Sequence, residues 1–200
     1  MLPGAPWPTA GRGALYHLSG VAPGYIGAFC LMTSDVLAVE TRPAVPEDLP
    51  AIVALQALAF SPGRFARTAY RVREGAPDLS PYCRVAVQAD RLIAAVRMTE
   101  VTIGGRPGAL LLGPLAVTPE LAGRGYARRL VAEVLDAARA RGEALVLLVG
   151  DMVYYGRLGF IRVPPGQIRL PGPVDPARLL AVEIEAGALE KFRGMVAARS

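Results

Sequence analysis

The feature that most constrains the fold is an apolar run that leads into a glycine-rich turn and then into the start of a helix. Residues 110–117 form the run, and Gly123 and Gly125 lie in the turn. Glycine lets the backbone approach a ligand without interference from a Cβ atom, and the first amides of a helix point out of its end. The turn therefore predicts an anion site for a phosphate or pyrophosphate. An ordinary strand-to-helix connection is the alternative.

A second apolar run, residues 144–149, follows the predicted helix, which Gly142 ends. The helix carries apolar residues at helical spacing, namely Leu130, Val131, Val134, Leu135 and Ala138. Both runs are continuously apolar, which is typical of a sheet covered on both faces. The segment is therefore a βαβ unit of an α/β protein. It is not a dinucleotide-binding unit, because Val149 and Gly150 stand where an acidic residue would hold a ribose.

The glycine turn resembles the signature of the GNAT superfamily of acyl-CoA-dependent N-acetyltransferases. That signature reads Gln/Arg-x-x-Gly-x-Gly/Ala, and residues 122–127 match it with Gly125 and Ala127. The chain departs from the signature at Ala122, where Gln or Arg is usual. A turn of this kind is weak evidence by itself, so the resemblance depends on further motifs in the expected order.

The second hallmark of that superfamily is Tyr-x-x-x-Gly-Phe, and Tyr155, Gly159 and Phe160 match it. Residues 112–117 and 171–176 are similar to the YhbS-like branch in particular. Together these motifs are far more specific than either alone. The chain is thus identified as resembling a GNAT N-acetyltransferase of the YhbS-like branch.

The resemblance implies a mixed α/β sheet, the GNAT acyl-CoA N-acyltransferase fold, with an antiparallel N-terminal half and parallel strands splayed at the CoA site. It covers residues 37–198, which we expect to form one domain. From the sequence we expect strands at 37–42, 84–88, 92–101, 110–117, 144–149 and 179–185, and short helices at 65–73 and through Leu189 and Phe192. A longer helix opens at residues 46–48 and is expected to bury a face made of Leu49, Ile52, Val53, Ala57 and Phe60.

The resemblance also implies how acetyl-CoA binds as a co-substrate. In similar proteins the strand pairs with the pantetheine amides and the turn holds the pyrophosphate. The implied cofactor-binding residues here are Leu115, Ala116, Val117, Ala122, Gly123, Arg124, Gly125, Tyr126, Ala127 and Arg128. Because both contacts use the backbone, the departure at Ala122 is expected to weaken or reorient binding rather than abolish it. Arg124 and Arg128 either add charge or are solvated helix-face residues.

Acetyl transfer from a thioester to an amine needs a deprotonated amine, a stabilised oxyanion and a proton for the departing thiolate. Neither cysteine lies in a motif for an activated nucleophile, so we expect direct attack in a ternary complex. The resemblance implies that Tyr155 is the catalytic general acid, the alternative being a tyrosine that only packs at the sheet edge. Asp151 is predicted to cap the short helix that follows it. The general base is open, with Glu100, Glu120 or a water relay as candidates.

The predicted function is therefore an N-acetyltransferase acting on a primary amine, and the alternative is a catalytically silent acyl-CoA-binding or sensing module. A structural domain with an empty turn ranks last. The acceptor, a small molecule or a protein amine, is expected to bind between segments near 60–73 and 163–176. We expect a monomer or a homodimer.

Composition agrees with one domain and excludes several partners. The 200 residues are 52% hydrophobic and 20% charged, and 22 Lys and Arg against 17 Asp and Glu give a net charge of +5. The arginines are scattered and not interleaved with aromatic residues, so no nucleic acid is expected.

Cys30 and Cys83 lack metal-ligand spacing, so we expect no metal site. Two cysteines are too few for a disulfide framework, which predicts reduced thiols in a cytoplasmic protein, with Cys83 as a small buried hydrophobe. His17 is expected to be a solvated loop residue.

The N-terminal segment differs from the rest of the chain. Residues 1–33 are rich in glycine and proline and carry a single charge, Arg12. They are too interrupted for a membrane span, and the order of charge and apolar residues is wrong for a signal peptide. We expect a disordered extension or a mis-assigned start, because Met32 lies just before the first predicted strand.

Overall fold

The computed structural model describes residues 38–60 and 68–199. The predictions for residues 1–33, and those for His17 and Cys30, lie outside these ranges. Within them the chain forms nine strands and five helices. The strands are β1 (Val39–Pro43), β2 (Arg84–Gln88), β3 (Arg91–Ile103), β4 (Arg106–Val117), β5 (Leu145–Val149), β6 (Ile161–Arg162), β7 (Ile168–Arg169), β8 (Leu179–Glu183) and β9 (Gly194–Ala198). The helices are α1 (Leu49–Phe60), α2 (Thr68–Val72), α3 (Tyr126–Ala140), α4 (Met152–Tyr155) and α5 (Ala188–Lys191).

The sheet has the strand order β1-β2-β3-β4-β5-β8-β6, and β9 pairs with β3 and β7. Strands β1 to β4 form an antiparallel meander, whereas β4 and β5 are parallel and are joined through α3. This confirms the predicted mixed sheet, with its antiparallel first half and its single βαβ unit. The parallel pair lies in the middle of the sheet, where antiparallel neighbours continue on both sides.

Both faces of the central strands are buried, as the continuous apolar runs predict. In β5 the side chains from Leu145 to Leu148 are at most 1% exposed. Val146 and Leu148 pack on the face covered by α3, and Leu145 and Leu147 pack on the opposite face. Buried apolar area of this kind is the main stabilising contribution to such a fold, at about 25 cal/mol per Å².

The predicted strand and helix boundaries agree closely with the structure, but three short strands were missed. Strands β6 and β7 contain two residues each, which is too short for any alternation of polar and apolar residues to show. Strand β9 was not predicted either, and it joins the sheet by pairing with β3 at Val101 to Ile103. Its placement depends on a partner far away in the sequence, so no local pattern indicates it.

The predicted buried face of α1 was only partly right. Ile52 is 1% exposed as expected, but the other buried residues are Leu55 and Gln56, while Val53 is 50% exposed. The helix is apolar on all sides, so its sequence contains no stripe that identifies the face toward the sheet. None of the helices in the described ranges is long and apolar enough to cross a membrane.

The core placement of β5 gives a direct test of the fold. Replacing Leu147 with alanine is expected to lower the free energy of unfolding by about 2–5 kcal/mol, because a fully buried side chain leaves a cavity. Leu58 is the matched control, since it is 63% exposed on α1 and its replacement is expected to change the free energy by less than about 0.5 kcal/mol. Urea unfolding of both variants measures the difference, and equal effects would contradict the placement of β5.

Candidate active site

The two parallel strands separate soon after they begin to pair. Their register runs from Ala109 opposite Leu145 to Leu111 opposite Leu147, and it ends there. Strand β4 nevertheless continues to Val117, six residues further. On its other edge β4 remains paired with β3 along this stretch. The result is a wedge-shaped opening in which one edge of β4 has no strand partner among the described residues.

A bulge in β4 lies at the point where the strands separate. Leu112 is opposite Met98 and Leu115 is opposite Val96, so β4 has one residue more than β3 between these pairs. The side chains of Leu112 and Leu115 consequently lie on the same face of the sheet, although the two residues are three positions apart. Gly113 lies within the bulge with a φ of +115°, a region that other residues rarely adopt. Bulges of this kind bend a strand and often occur beside active sites.

A cavity of about 490 Å³ fills the opening. Its walls come from the separated strands, from α1 and α2, from α4, and from the loop before β8. The lining residues are Phe60, Ala69, Tyr70, Arg73, Leu112, Gly113, Pro114, Leu115, Leu148, Val149, Gly150, Asp151, Tyr155, Pro173, Val174, Asp175 and Arg178. Both segments expected to shape an acceptor pocket, near 60–73 and 163–176, contribute to these walls. The volume is in the range typical of small-molecule sites.

Tyr155 lines this cavity at the end of α4. Its ring packs edge-on against Tyr154 and Phe160, with ring centroids 4.9 and 5.6 Å away. Burial is the main cause that raises its pKa to about 12, with a smaller contribution from Tyr154. The hydroxyl has no protein hydrogen-bond partner within the described ranges, so it is available to a ligand in the cavity.

The spacing of the Tyr-x-x-x-Gly-Phe motif has a structural reason. The amide of Phe160 donates to the carbonyl of Tyr155 at 3.2 Å, and Gly159 adopts a φ of +87° that allows the chain to turn back. Phe160 is 1% exposed and so anchors the turn in the core. Asp151 caps α4 as predicted, because its carboxylate accepts from the amide of Val153 at 2.8 Å.

The glycine turn lies between β4 and α3. Gly123 and Gly125 have φ values of +78° and +89°, and a Cβ atom at Gly123 would meet no atom within 4 Å. The first helical bond of α3 runs from the amide of Arg129 to the carbonyl of Gly125. The amides of Tyr126, Ala127 and Arg128 therefore precede the hydrogen-bonded turns and, in the described part of the chain, have no protein acceptor. They and the positive end of the helix dipole favour an anion.

The structure brings only some of the predicted cofactor residues to the cavity. Leu115 lines it, while Ala116 is 2% exposed and packs on the opposite face of the sheet, and Val117 packs toward α3. Ala122, Gly123, Arg124 and Arg128 are exposed at the turn and the start of α3, and Gly125, Tyr126 and Ala127 are half-buried there. Three of the ten residues thus belong to the strand that borders the opening, and the other seven belong to the glycine turn and the start of α3.

The carboxylates named as candidate bases do not line the cavity. Glu100 forms an ion pair with Arg199 at the distant end of β3, and Glu120 is exposed in the turn after β4. The acidic residues that do line it are Asp151 and Asp175. Asp175 also caps a turn, since it accepts from the amide of Ala177 at 2.9 Å. No group of His, Cys, Asp and Glu suited to a metal occurs in the described residues.

Sequence reasoning missed Arg73, which lines the cavity and is 9% exposed. Its Nε donates to the hydroxyl of Thr99 at 3.2 Å, and its guanidinium lies 5.5 Å from the centroid of the Tyr70 ring. Burial lowers its pKa from the ordinary arginine value to about 10. The sequence shows Arg73 only as one of many scattered arginines, and its burial depends on contacts between elements far apart in the chain.

A sheet that opens between parallel strands, beside a glycine turn and the start of a helix, defines an α/β protein with a site suited to an extended anionic ligand. A family model described as an acetyltransferase (GNAT) domain matches residues 40–163. The chain therefore belongs to the GNAT acetyltransferase family, a family of acyltransferases.

Two relatives are similar over most of their length. The uncharacterized N-acetyltransferase YhbS of Escherichia coli K12 is 28% identical over 156 residues, which cover 78% of this chain and 93% of the relative. The crystal structure of E. coli YhbS in complex with CoA has a TM-score of 0.70 at 29% identity, covering 82% of this chain and 91% of that one. A GNAT family acetyltransferase from Brucella melitensis, solved with acetyl-CoA, has a TM-score of 0.54 at 26% identity, covering 76% and 98%.

The packing around Tyr155 gives a testable prediction at Gly150. A Cβ atom there would lie 2.4 Å from Cε2 of Tyr155, so Gly150→Ala must displace the tyrosine ring. The expected cost in free energy of unfolding is about 1–3 kcal/mol. In a Tyr155→Ala background the Gly150→Ala change is expected to lower the free energy of unfolding by clearly less, because the tyrosine ring that the new Cβ atom would contact is absent. Urea unfolding of the four proteins in this cycle gives the coupling, and strictly additive costs would contradict the contact.

Proposed function

We propose that this protein transfers an acetyl group from acetyl-CoA to a primary amine by direct attack in a ternary complex. The observation that supports this most strongly is that Tyr155 and the unpaired edge of β4 face one cavity. The relatives solved with CoA or acetyl-CoA support the choice of co-substrate. An amine acceptor is suggested by the N-acetyltransferase description of the E. coli relative.

The residues present fit an extended thioester co-substrate. The edge of β4 from Leu112 to Val117 offers backbone groups that an extended amide chain can pair with, as an added strand does in peptide recognition. The turn at Gly123 and Gly125 then offers free amides to a pyrophosphate, and the open space at Gly123 leaves room for it. Ala122 is exposed, so its small side chain does not obstruct these backbone contacts.

In the proposed mechanism Tyr155 is the general acid. The amine nitrogen forms a bond to the acetyl carbon, the carbon–sulfur bond breaks, and Tyr155 donates its phenolic proton to the departing thiolate. The phenol is protonated at neutral pH, its raised pKa extends that state to higher pH, and Tyr155 lines the cavity. A thiol of ordinary pKa about 8.5 is a stronger acid than Tyr155, so the phenol acts first as a hydrogen-bond donor that stabilises the departing thiolate. Any proton that it gives up as the carbon–sulfur bond breaks is restored by the proton that the amine releases.

The proton that leaves the amine is assigned to the carboxylates at the cavity. Asp151 and Asp175 each use Oδ1 in a capping hydrogen bond, which leaves Oδ2 to accept a proton directly or through water. Glu100 is committed to Arg199 and does not line the cavity. We therefore favour an aspartate or a water relay over the glutamates for this step.

Isothermal titration with acetyl-CoA, followed by thiol release with a panel of amines, tests the proposal. We expect binding and acceptor-dependent thiol release in the wild type. Tyr155→Phe is expected to retain binding and to lower kcat by about 10²-fold or more, the usual contribution of a general acid. Tyr154→Phe is the matched control, because Tyr154 does not line the cavity, and it is expected to leave kcat unchanged. Binding without turnover on any amine would favour the silent acyl-CoA-binding module instead.

The raised pKa of Tyr155 predicts the form of the pH profile. A tyrosine at its ordinary pKa of about 10 would lose its proton, and the rate would fall, as the pH passed that value. With a pKa of about 12, Tyr155 remains a proton donor beyond it. We expect kcat/KM to rise as the acceptor amine deprotonates and to show no decline up to about pH 11. Thiol release across this range measures it, and a descending limb near pH 10 would contradict the assignment.

A further inference from the structure

Arg73 places a guanidinium inside the cavity. The side chain follows α2 and is 9% exposed, and its Nη2 lies 3.7 Å from the position that a Cβ atom of Gly113 would occupy. The charged group therefore lies against the bulge of β4, where the two parallel strands separate. Its Nε is held by Thr99, which leaves the two terminal nitrogens as donors on the cavity side.

No carboxylate neutralises this charge in residues 38–60 and 68–199. The nearby Arg97 helps to lower the pKa of Arg73 and is itself paired with Asp78. The cavity carboxylates, on Asp151 and Asp175, belong to exposed residues that cap turns. A buried charge without a partner is costly, and in proteins it is normally paired or used to bind a ligand. In the described ranges Arg73 contacts the Thr99 hydroxyl and the Tyr70 ring but no carboxylate, which is the arrangement of a group that binds an anionic ligand.

The ligand that fits Arg73 carries one negative charge. A guanidinium binds a carboxylate through two parallel hydrogen bonds, and a single carboxylate balances its single charge. A phosphate dianion would leave an excess negative charge beside apolar walls formed by Leu112, Leu148 and Val149. The exposed aspartates at the same cavity suit the amine end of such a molecule.

We infer that the acceptor is an amine that also carries a carboxylate, and that Arg73 binds this carboxylate at the bulge of β4. The inference depends on the proposed acetyl transfer and specifies its acceptor class. Thr99 is a positioning residue in this scheme, because it fixes the guanidinium through Nε. The acetylated nitrogen then lies toward Tyr155, and the carboxylate lies toward α2.

Matched acceptor pairs test the inference. Thiol release is measured with alanine and ethylamine, with phenylalanine and phenethylamine, and with 6-aminohexanoate and hexylamine, and 2-aminoethyl phosphate serves as the dianionic comparison. We expect the wild type to favour the carboxylate member of at least one pair. Arg73→Gln and Arg73→Lys are expected to raise KM for that acceptor by about ten- to hundredfold, the contribution of hydrogen bonds to a charged group, and to leave KM for its partner unchanged. Arg91→Gln, an exposed arginine outside the cavity lining, is the control for loss of charge.

Two binding measurements separate this inference from the proposed function. Titration with acetyl-CoA reports the co-substrate site, and Arg73→Gln is expected to leave it intact. Titration of the free and the CoA-saturated protein with N-acetylalanine and N-acetylalanine amide reports the carboxylate site without turnover, and only the acid is expected to bind in an Arg73-dependent way. Thr99→Val is expected to weaken binding of the acid in the same direction as Arg73→Lys.

The inference fails under three results. Equal use of both members of every pair by the wild type would show that no carboxylate is recognised. A preference for 2-aminoethyl phosphate over all carboxylates would show that Arg73 binds a phosphate and not a carboxylate. An Arg73 variant that lowers kcat equally for both members of a pair, with KM unchanged, would assign Arg73 to the transferred acyl group. Folding is checked by thermal unfolding, where loss of an unpaired buried charge is expected to keep or raise the midpoint.

Discussion

The rest of the site depends on one extra residue in β4. From Ala109 to Leu111 the strand is paired on both sides and fully buried, so it offers no free edge to a ligand. The bulge between Leu112 and Leu115 turns the strand away from β5 while preserving its pairing with β3. An unpaired strand edge inside a protein is costly, because its amides and carbonyls lose their hydrogen bonds. In the proposed function this edge is the binding surface, and the residues that follow the bulge lead to the glycine turn.

Tyr155 and Arg73 contribute to the walls of this opening, and burial changes the acid–base chemistry of both. The higher pKa of the tyrosine keeps its hydroxyl protonated, which preserves it as a hydrogen-bond donor to a thiolate. The pKa of the arginine falls to about 10, which still leaves it charged at neutral pH, and no carboxylate in the described part of the chain pairs with it, which suits capture of an anion. In each case burial disfavours the charged form in the free protein. A buried charge such as that of Arg73 reduces stability at neutral pH, and such residues are typical of functional sites, where a ligand restores the lost interactions.

The sequence predicted the parts of this site that have a local pattern. Continuous apolar runs indicated strands covered on both faces, and the spacing of Gly159 and Phe160 after Tyr155 reflects a turn of the chain and a buried anchor. The bulge could not be predicted, because Gly113 lies inside a continuous apolar run and no local pattern marks an extra residue there. Arg73 could not be predicted either, since its burial requires α2, β3 and β4 to meet. The face of α1 was missed because a helix that is apolar on all sides has no stripe.

The two ligands that we propose are recognised by different kinds of groups. Backbone amides at the edge of β4 and at the start of α3 bind the co-substrate, so a departure such as Ala122 changes a side chain and leaves those donors in place. Side chains on α2, α4 and the loop before β8 form the acceptor wall, where one substitution changes charge or volume directly. Specificity can therefore change without loss of the co-substrate site. The charge at Arg73 is carried by a side chain and not by the backbone, so it makes the polarity of the acceptor the sharpest question that the fold poses.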